Sequence, residues 1–152
     1  MADTIREQII AAYVTRLAAW TTANGYHYSC GASAQRAVQN VEPKDLPACV
    51  LWPQAETVEQ LYGRNVCEMV VKVEALATVG DTNPSVIQEK LLRDVIKIMT
   101  EPLLVPVTTK IEDIVYTGGG PAGIAKPEEE TTAVYAEFKI KYETLIGNPY
   151  SQ

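Results

Sequence analysis

Groups able to do chemistry are few in this chain, and their spacing limits what they can do. The single histidine, His27, stands between Tyr26 and Tyr28 and shortly before Cys30. His27-x-x-Cys30 has tolerable metal-ligand spacing, and Cys49 and Cys67 are the remaining thiols. Neither has a close second ligand, whereas zinc sites are built from ligand pairs a few residues apart. A packed or surface ring and reduced, space-filling thiols are the expectation. Carboxylates cluster at Glu112/Asp113 and at Glu128, Glu129 and Glu130. A glycosidase pair needs two acids facing each other across a cleft, and sequence neighbours are normally solvated instead. Gly118-Gly119-Gly120 invites a phosphate-loop reading, but such a loop needs a lysine and a hydroxyl residue opening a helix. Here the glycines lead to Pro121 and then to acids, which repel phosphate. With one histidine no Ser-His-Asp arrangement can be nominated, and no G-x-S-x-G elbow occurs. No catalytic, cofactor or metal residue is named, and a non-enzymatic role is expected.

Composition narrows the classes further. A chain of 152 residues fits one domain, with enough surface to bury a core unaided by disulfides. Its net charge of −6 argues against nucleic-acid binding through phosphate contacts, which requires clustered Lys and Arg. No stretch is long and apolar enough to span a bilayer. The start, MADTIREQ, lacks the apolar core of a signal peptide, so synthesis and first action in a cytoplasm are expected.

The element that must organise everything else is Ala133–Leu145. Val134, Ala136, Phe138, Ile140 and Tyr142 share one face, and Tyr135, Glu137, Lys139, Lys141 and Glu143 share the other. Side chains alternate along a strand, so this is a long strand with one wet face. Val66–Val79 repeats the pattern, with Cys67, Met69, Val71, Val73, Ala75 and Ala77 toward the core. Asp3–Thr22 reads as a helix striped by Ile5, Ile9, Tyr13, Leu17 and Trp20. Thr4 and Glu7 form a capping box at its start, and Asn24-Gly25 a left-handed stop. Ser85–Thr100 is a second helix, capped by Asn83 and Pro84 and striped by Ile87, Leu91, Val95 and Ile98. Gln88, Glu89, Lys90, Arg93, Asp94 and Lys97 fall on its remaining surface.

Between these lie weaker signals. Tyr26–Cys30 suits a short strand or an extended arm, and Gly31–Pro47 a long loop. Pro47–Pro53 is a short edge strand, Ala55–Leu61 is strand-like, and Tyr62-Gly63-Arg64-Asn65 a hairpin turn. Leu103–Thr109 is a Pro-interrupted connector and Lys110–Thr117 a strand. Gly118–Glu130 reads as a mobile hairpin tip, and Gly147–Tyr150 as a tail. The fold class expected is α+β: a mixed or antiparallel sheet of about four to five strands with two helices on one face. Loops 31–47 and 117–130 exceed what one small sheet needs, which points to self-assembly or partner contacts.

The runs VVKVEALATVGDTNPSVIQEKLLRDVIKIM, KIEDIVYTGGG and TAVYAEFKIKYETLIGNPY resemble, in order and kind, the tail terminator (minor tail protein U-like) proteins of long-tailed bacteriophages. The resemblance covers about Pro47–Tyr150 and rests on segment order, without a sealing motif. It implies a structural subunit that forms a ring, typically a hexamer, at the head-proximal end of the tail tube. Such a ring halts tube growth and docks head-completion or connector proteins. Its partners would be copies of itself, the tail tube protein and the connector, with DNA as passing cargo and no membrane. Candidate contact residues are Gln35, Arg36, Tyr62, Arg64, Gly118, Gly119, Gly120, Glu128, Glu129 and Glu130, the acids steering a basic partner face. Two other readings stand beside it: another head–tail joining or tube component, and a small ligand-binding α+β domain.

Overall fold

A computed structural model of the chain describes residues 3–38, 41–101, 111–122 and 130–152. Helix α1 (Ile5–Leu17) begins where Thr4 Oγ1 accepts from the Glu7 backbone N–H at 3.1 Å. Only half of the expected capping box forms, because the Glu7 carboxylate is taken by Arg36 at 2.6 and 2.9 Å. The helix is also shorter than its apolar stripe. Ala18–Trp20 bend away, and the Trp20 carbonyl accepts from the Gly31 N–H at 2.9 Å. Gly31 fits only because it lacks a side chain: a Cβ there would lie 2.3 Å from the Ala18 carbonyl oxygen. Gly25, at φ +90°, ends the short turn that follows, as its left-handed freedom allows.

Five strands form one sheet: β1 (Ala34–Arg36), β2 (Ala48–Leu61), β3 (Arg64–Thr78), β4 (Ile111–Pro121) and β5 (Thr131–Leu145). Their order is β1-β2-β3-β5-β4, with β1 parallel to β2 and every other pair antiparallel. Helix α2 (Pro84–Thr100) connects β3 to β4, and β5 inserts between those two strands. Its cap is as expected, with Asn83 Oδ1 accepting from the Ser85 N–H at 2.9 Å. The α+β class with two helices and a mixed sheet is therefore correct.

Three sequence expectations need correction. Pro47–Pro53 and Ala55–Leu61 are one strand, β2, because antiparallel pairing with β3 carries through both. Pro53 is tolerated since β1 reaches only Leu51, leaving the outer edge free at the proline. The hairpin loop is two residues, with Arg64 and Asn65 inside β3; Tyr62 and Gly63 have φ of +51° and +78°. Positive φ at both positions matches the strand twist in a tight hairpin. Finally, Gly31–Pro47 is not all loop: Ala34–Arg36 within it is β1, drawn into the sheet by parallel pairing with β2, while Tyr26–Cys30 takes the second of its two expected forms, an arm pinned to α2.

The pin is Asp94. It belongs to the buried face of α2, not to the remaining surface, and is 2% exposed. Its carboxylate accepts from the Trp20 indole N–H (3.2 Å), the His27 backbone N–H (2.9 and 3.1 Å) and the Tyr28 backbone N–H (3.1 Å). His27 Nδ1 lies 2.9 Å from the same group. Hydrogen bonds to an ionised acceptor are the strong ones, so one carboxylate locks the end of the α1 segment, the arm and α2 together. Around it, one core joins the apolar stripes of both helices to the inward rows of β3 and β5. Trp20, Phe138 and Leu91 are fully buried there, each worth roughly 1.5–3 kcal/mol of apolar burial.

Asp94→Ala is expected to lower unfolding stability by about 3–4 kcal/mol, since it strands an indole and two backbone donors. Asp94→Asn, which keeps one acceptor oxygen, should fall between that variant and the wild type. Urea midpoints at constant slope measure both; a midpoint shift within error for Asp94→Ala would show that the pin is not structural.

Candidate assembly interface

Strand length sets the geometry of the exposed surface. At about 3.3 Å per residue the 15-residue strands β3 and β5 each reach roughly 50 Å, while the 17-residue α2 reaches about 25 Å. The sheet therefore outruns the helices. From Gln54 to Leu61, β2 is exposed throughout except at Glu56. That residue is held from two sides: the Tyr142 phenol donates to it, and Arg6 lies 3.4 Å away. Burial and the Glu56 carboxylate hold the Tyr142 phenol protonated well above its usual range. Arg6 also donates to the Gln54 carbonyl at 2.7 Å, so the start of α1 clamps the middle of β2. Beyond the clamp the hairpin projects.

Among the described residues neither flank of the sheet is closed by a further strand. The outer side of β2 has no strand partner past Leu51, and β4 is the opposite edge. Both edges carry features that discourage indiscriminate pairing: Pro53, Glu56, Glu59 and a register shift on β2, and Glu112, Asp113 and two register shifts on β4. Because both are acidic, direct pairing of the two edges between copies is opposed by like charge.

The residues expected to make contacts fall in three separate places. Gln35 is half-buried in β1 opposite Val50, and Arg36 is committed within the molecule to Glu7. That bond holds the Glu7 carboxyl below, and the Arg36 guanidinium above, the ordinary range. At one end of the sheet, Tyr62 occupies the hairpin tip with its ring fully exposed, and Arg64 begins β3 3.7 Å from Glu143. At the opposite end lie Gly118, Gly119 and Gly120. They are not a mobile tip: they are the last turnless stretch of β4, paired with Glu137, Ala136 and Tyr135. Glycine is needed at 119, where a Cβ would sit 2.5 Å from the Tyr135 carbonyl oxygen. Glu130 is exposed just before β5, its carbonyl accepting from the Val79 N–H at 2.7 Å. Glu128 and Glu129 lie outside the described residues.

Two features were not anticipated. Beside Tyr62, the exposed Leu61 and Leu145 share the outer face through the Leu61–Arg64–Leu145 row, and Ile146 follows. The signal was available, since apolar residues at both strand ends continue past the alternation. The second is a groove of about 520 Å³ on the outer sheet face, lined by Lys72, Glu74, Pro121, Ala122, Tyr135 and Glu137. Only strand pairing brings these side chains together, so no local pattern announces them. His27 serves Asp94, and no three His, Cys, Asp or Glu groups converge as a metal-holding set among the described residues. No helix among them is long and apolar enough to cross a membrane.

No protein-family model matches this chain, and none of the curated proteins is significantly similar to it in sequence.

The glycine run yields a position-by-position test. Gly119→Ala should cost about 2 kcal/mol or more through the backbone clash, whereas Gly120→Ala, with open space around its Cβ, should stay within about 0.5 kcal/mol. Thermal melts of the two variants separate a paired strand from a loose loop, in which the two alanines would be equivalent.

Proposed function

We propose that this chain is a structural, non-catalytic subunit of a long-tailed bacteriophage or prophage tail, acting as the tail terminator. In this reading copies form a ring, with six the expected number, on the head-proximal end of the tail tube. The ring stops further tube subunits from adding and presents its other face to a head-completion or connector protein. The observation that carries the reading is surplus structure. A hairpin that outruns the core and ends in an exposed tyrosine, with two open sheet edges, is more surface than a self-sufficient monomer uses. Segment order supports it as well: β3, the Pro-capped α2, β4 through its glycines, then β5 into the Gly147-Asn148-Pro149-Tyr150 end follow the arrangement that carries the resemblance. The net charge of −6 suits a passage through which DNA slides without being held.

Lateral contacts in such a ring are heterologous, since one patch meets a different patch on the neighbour. A rigid subunit then closes the ring at one rotation, and its two faces remain distinct for tube and connector.

The test is addition of the purified protein to polymerising tail-tube subunits, with tube lengths measured by electron microscopy and the oligomeric mass by native mass spectrometry. A terminator shortens tubes in proportion to its concentration and is found only at one end. Binding to connector with no effect on tube length would assign it to head–tail joining instead. Incorporation along the tube would make it a tube component, and a monomer that ignores both would sink the assembly reading.

A further inference from the structure

The outward face of α2 carries a groove of about 380 Å³ lined by Glu89, Leu92, Arg93, Ile96 and Lys97. Leu92 and Ile96 are half-buried, and Arg93 and Lys97 are exposed on either side of them. In a chain with a net charge of −6, the neighbouring Lys90, Arg93 and Lys97 have no carboxylate partner among the described residues. Lys97 instead stands 4.8 Å above the Tyr26 ring. The helix thus presents an apolar floor beside cations that make no ion pair among the described residues, with Glu89 at the groove's rim.

At the far end of the sheet the opposite character is found. Val58, Leu61 and Tyr62 are 54%, 42% and 102% exposed, and Glu59 beside them is exposed with no ion pair among the described residues. On the same end Glu112 and Glu143 crowd together, each with a base nearby: Lys141 3.6 Å from Glu112 and Arg64 3.7 Å from Glu143, which leaves Glu59 as the acid available to a partner. Tyr62 is unusual in a second respect. Its φ of +51° puts a bulky side chain in the left-handed region, where asparagine or glycine would fit at lower energy. A residue that is both strained and fully exposed gives the monomer nothing, which directs attention to a contact outside it. Tyrosines of this kind are typical anchors of protein interfaces.

We propose that the α2 groove of one copy receives the β2–β3 hairpin tip of a second copy, with the Tyr62 ring on Leu92 and Ile96 and Glu59 facing Arg93 and Lys97. Knob and socket sit on different elements of a rigid body: α2 packs over β3, β4 and β5, while the tip projects at the end of β2. The contact is therefore head-to-tail and repeats from copy to copy. Charge complementarity selects this partner over edge-to-edge pairing, in which acids would oppose acids. This contact deepens the assembly reading and rests on it.

Association is measured on the full chain by sedimentation and native mass spectrometry, alone and on tube ends. Tyr62→Asn should weaken association at least tenfold while raising the melting temperature, because it relieves the turn. Glu59→Arg and Arg93→Glu should each weaken it tenfold or more, and the two together should recover most of the loss. Rings that form normally with Tyr62→Asn and Arg93→Glu would overturn this contact and leave the assembly reading intact. So would variants that self-associate normally but lose the tube, which would assign the tip to another partner. A wild type that stays monomeric even on tube ends would overturn both.

Discussion

Everything in this molecule hangs on the ladder between β3 and β5. It runs from Arg64 opposite Leu145 to Thr78 opposite Thr131 without a register shift. On its inner side the apolar rows of both strands meet α1 and α2; on its outer side cross-strand pairs such as Glu68 with Lys141 and Lys72 with Glu137 are interspersed with Val66, Val70 and Tyr135. Irregularity is displaced to the flanking pairs, between Pro53 and Glu56 on β2 and at two places on β4. Bulges increase local twist and bend a strand, so curvature is absorbed at the periphery while the centre stays regular. A one-residue slip of β5 would turn Phe138, Ile140 and Tyr142 to water at once, which makes the register strongly specified.

The parts of the fold legible in the sequence are those set by that periodicity. β3, β5 and α2 have the expected inner faces because alternation and helical striping report burial directly. What was not legible depended on partners far away in the chain. Asp94 looks like one more polar residue of a solvated helix face until the His27 and Tyr28 backbone N–H groups are brought to it. The triple glycine looks like slack, yet Gly119 is the residue that lets the β4 backbone pass the Tyr135 carbonyl. The polar second half of β2 reads weakly as a strand because it has no buried face; its pairing with β3 comes from the Tyr62-Gly63 turn. Of the candidate contact residues, Tyr62 is legible in the turn itself, whereas the α2 groove takes shape only once the helix is docked on the sheet.

A division of labour follows. The Asp94 pin, the α1 clamp on β2 and the central ladder hold the body rigid, so the projecting hairpin keeps a fixed direction. Rigidity of that kind matters for assembly, because the ordering of a floppy contact segment subtracts directly from binding free energy. Acids along both edges and a proline on one of them allow the sheet to remain open without inviting fibre-like stacking.

The three free thiols, Cys30, Cys49 and Cys67, carry a last consequence. All are buried, and burial raises each of them above the ordinary thiol range, Cys49 to about 12. The reactive thiolate is therefore nearly absent from the closed molecule, and an alkylating reagent must wait for the chain to breathe. Cys30 and Cys49 lie together beneath the pinned arm, whereas Cys67 lies by Glu56 and Tyr142 under the α1 clamp. Their modification rates thus time the opening of two separate regions, using reporters the polypeptide already contains.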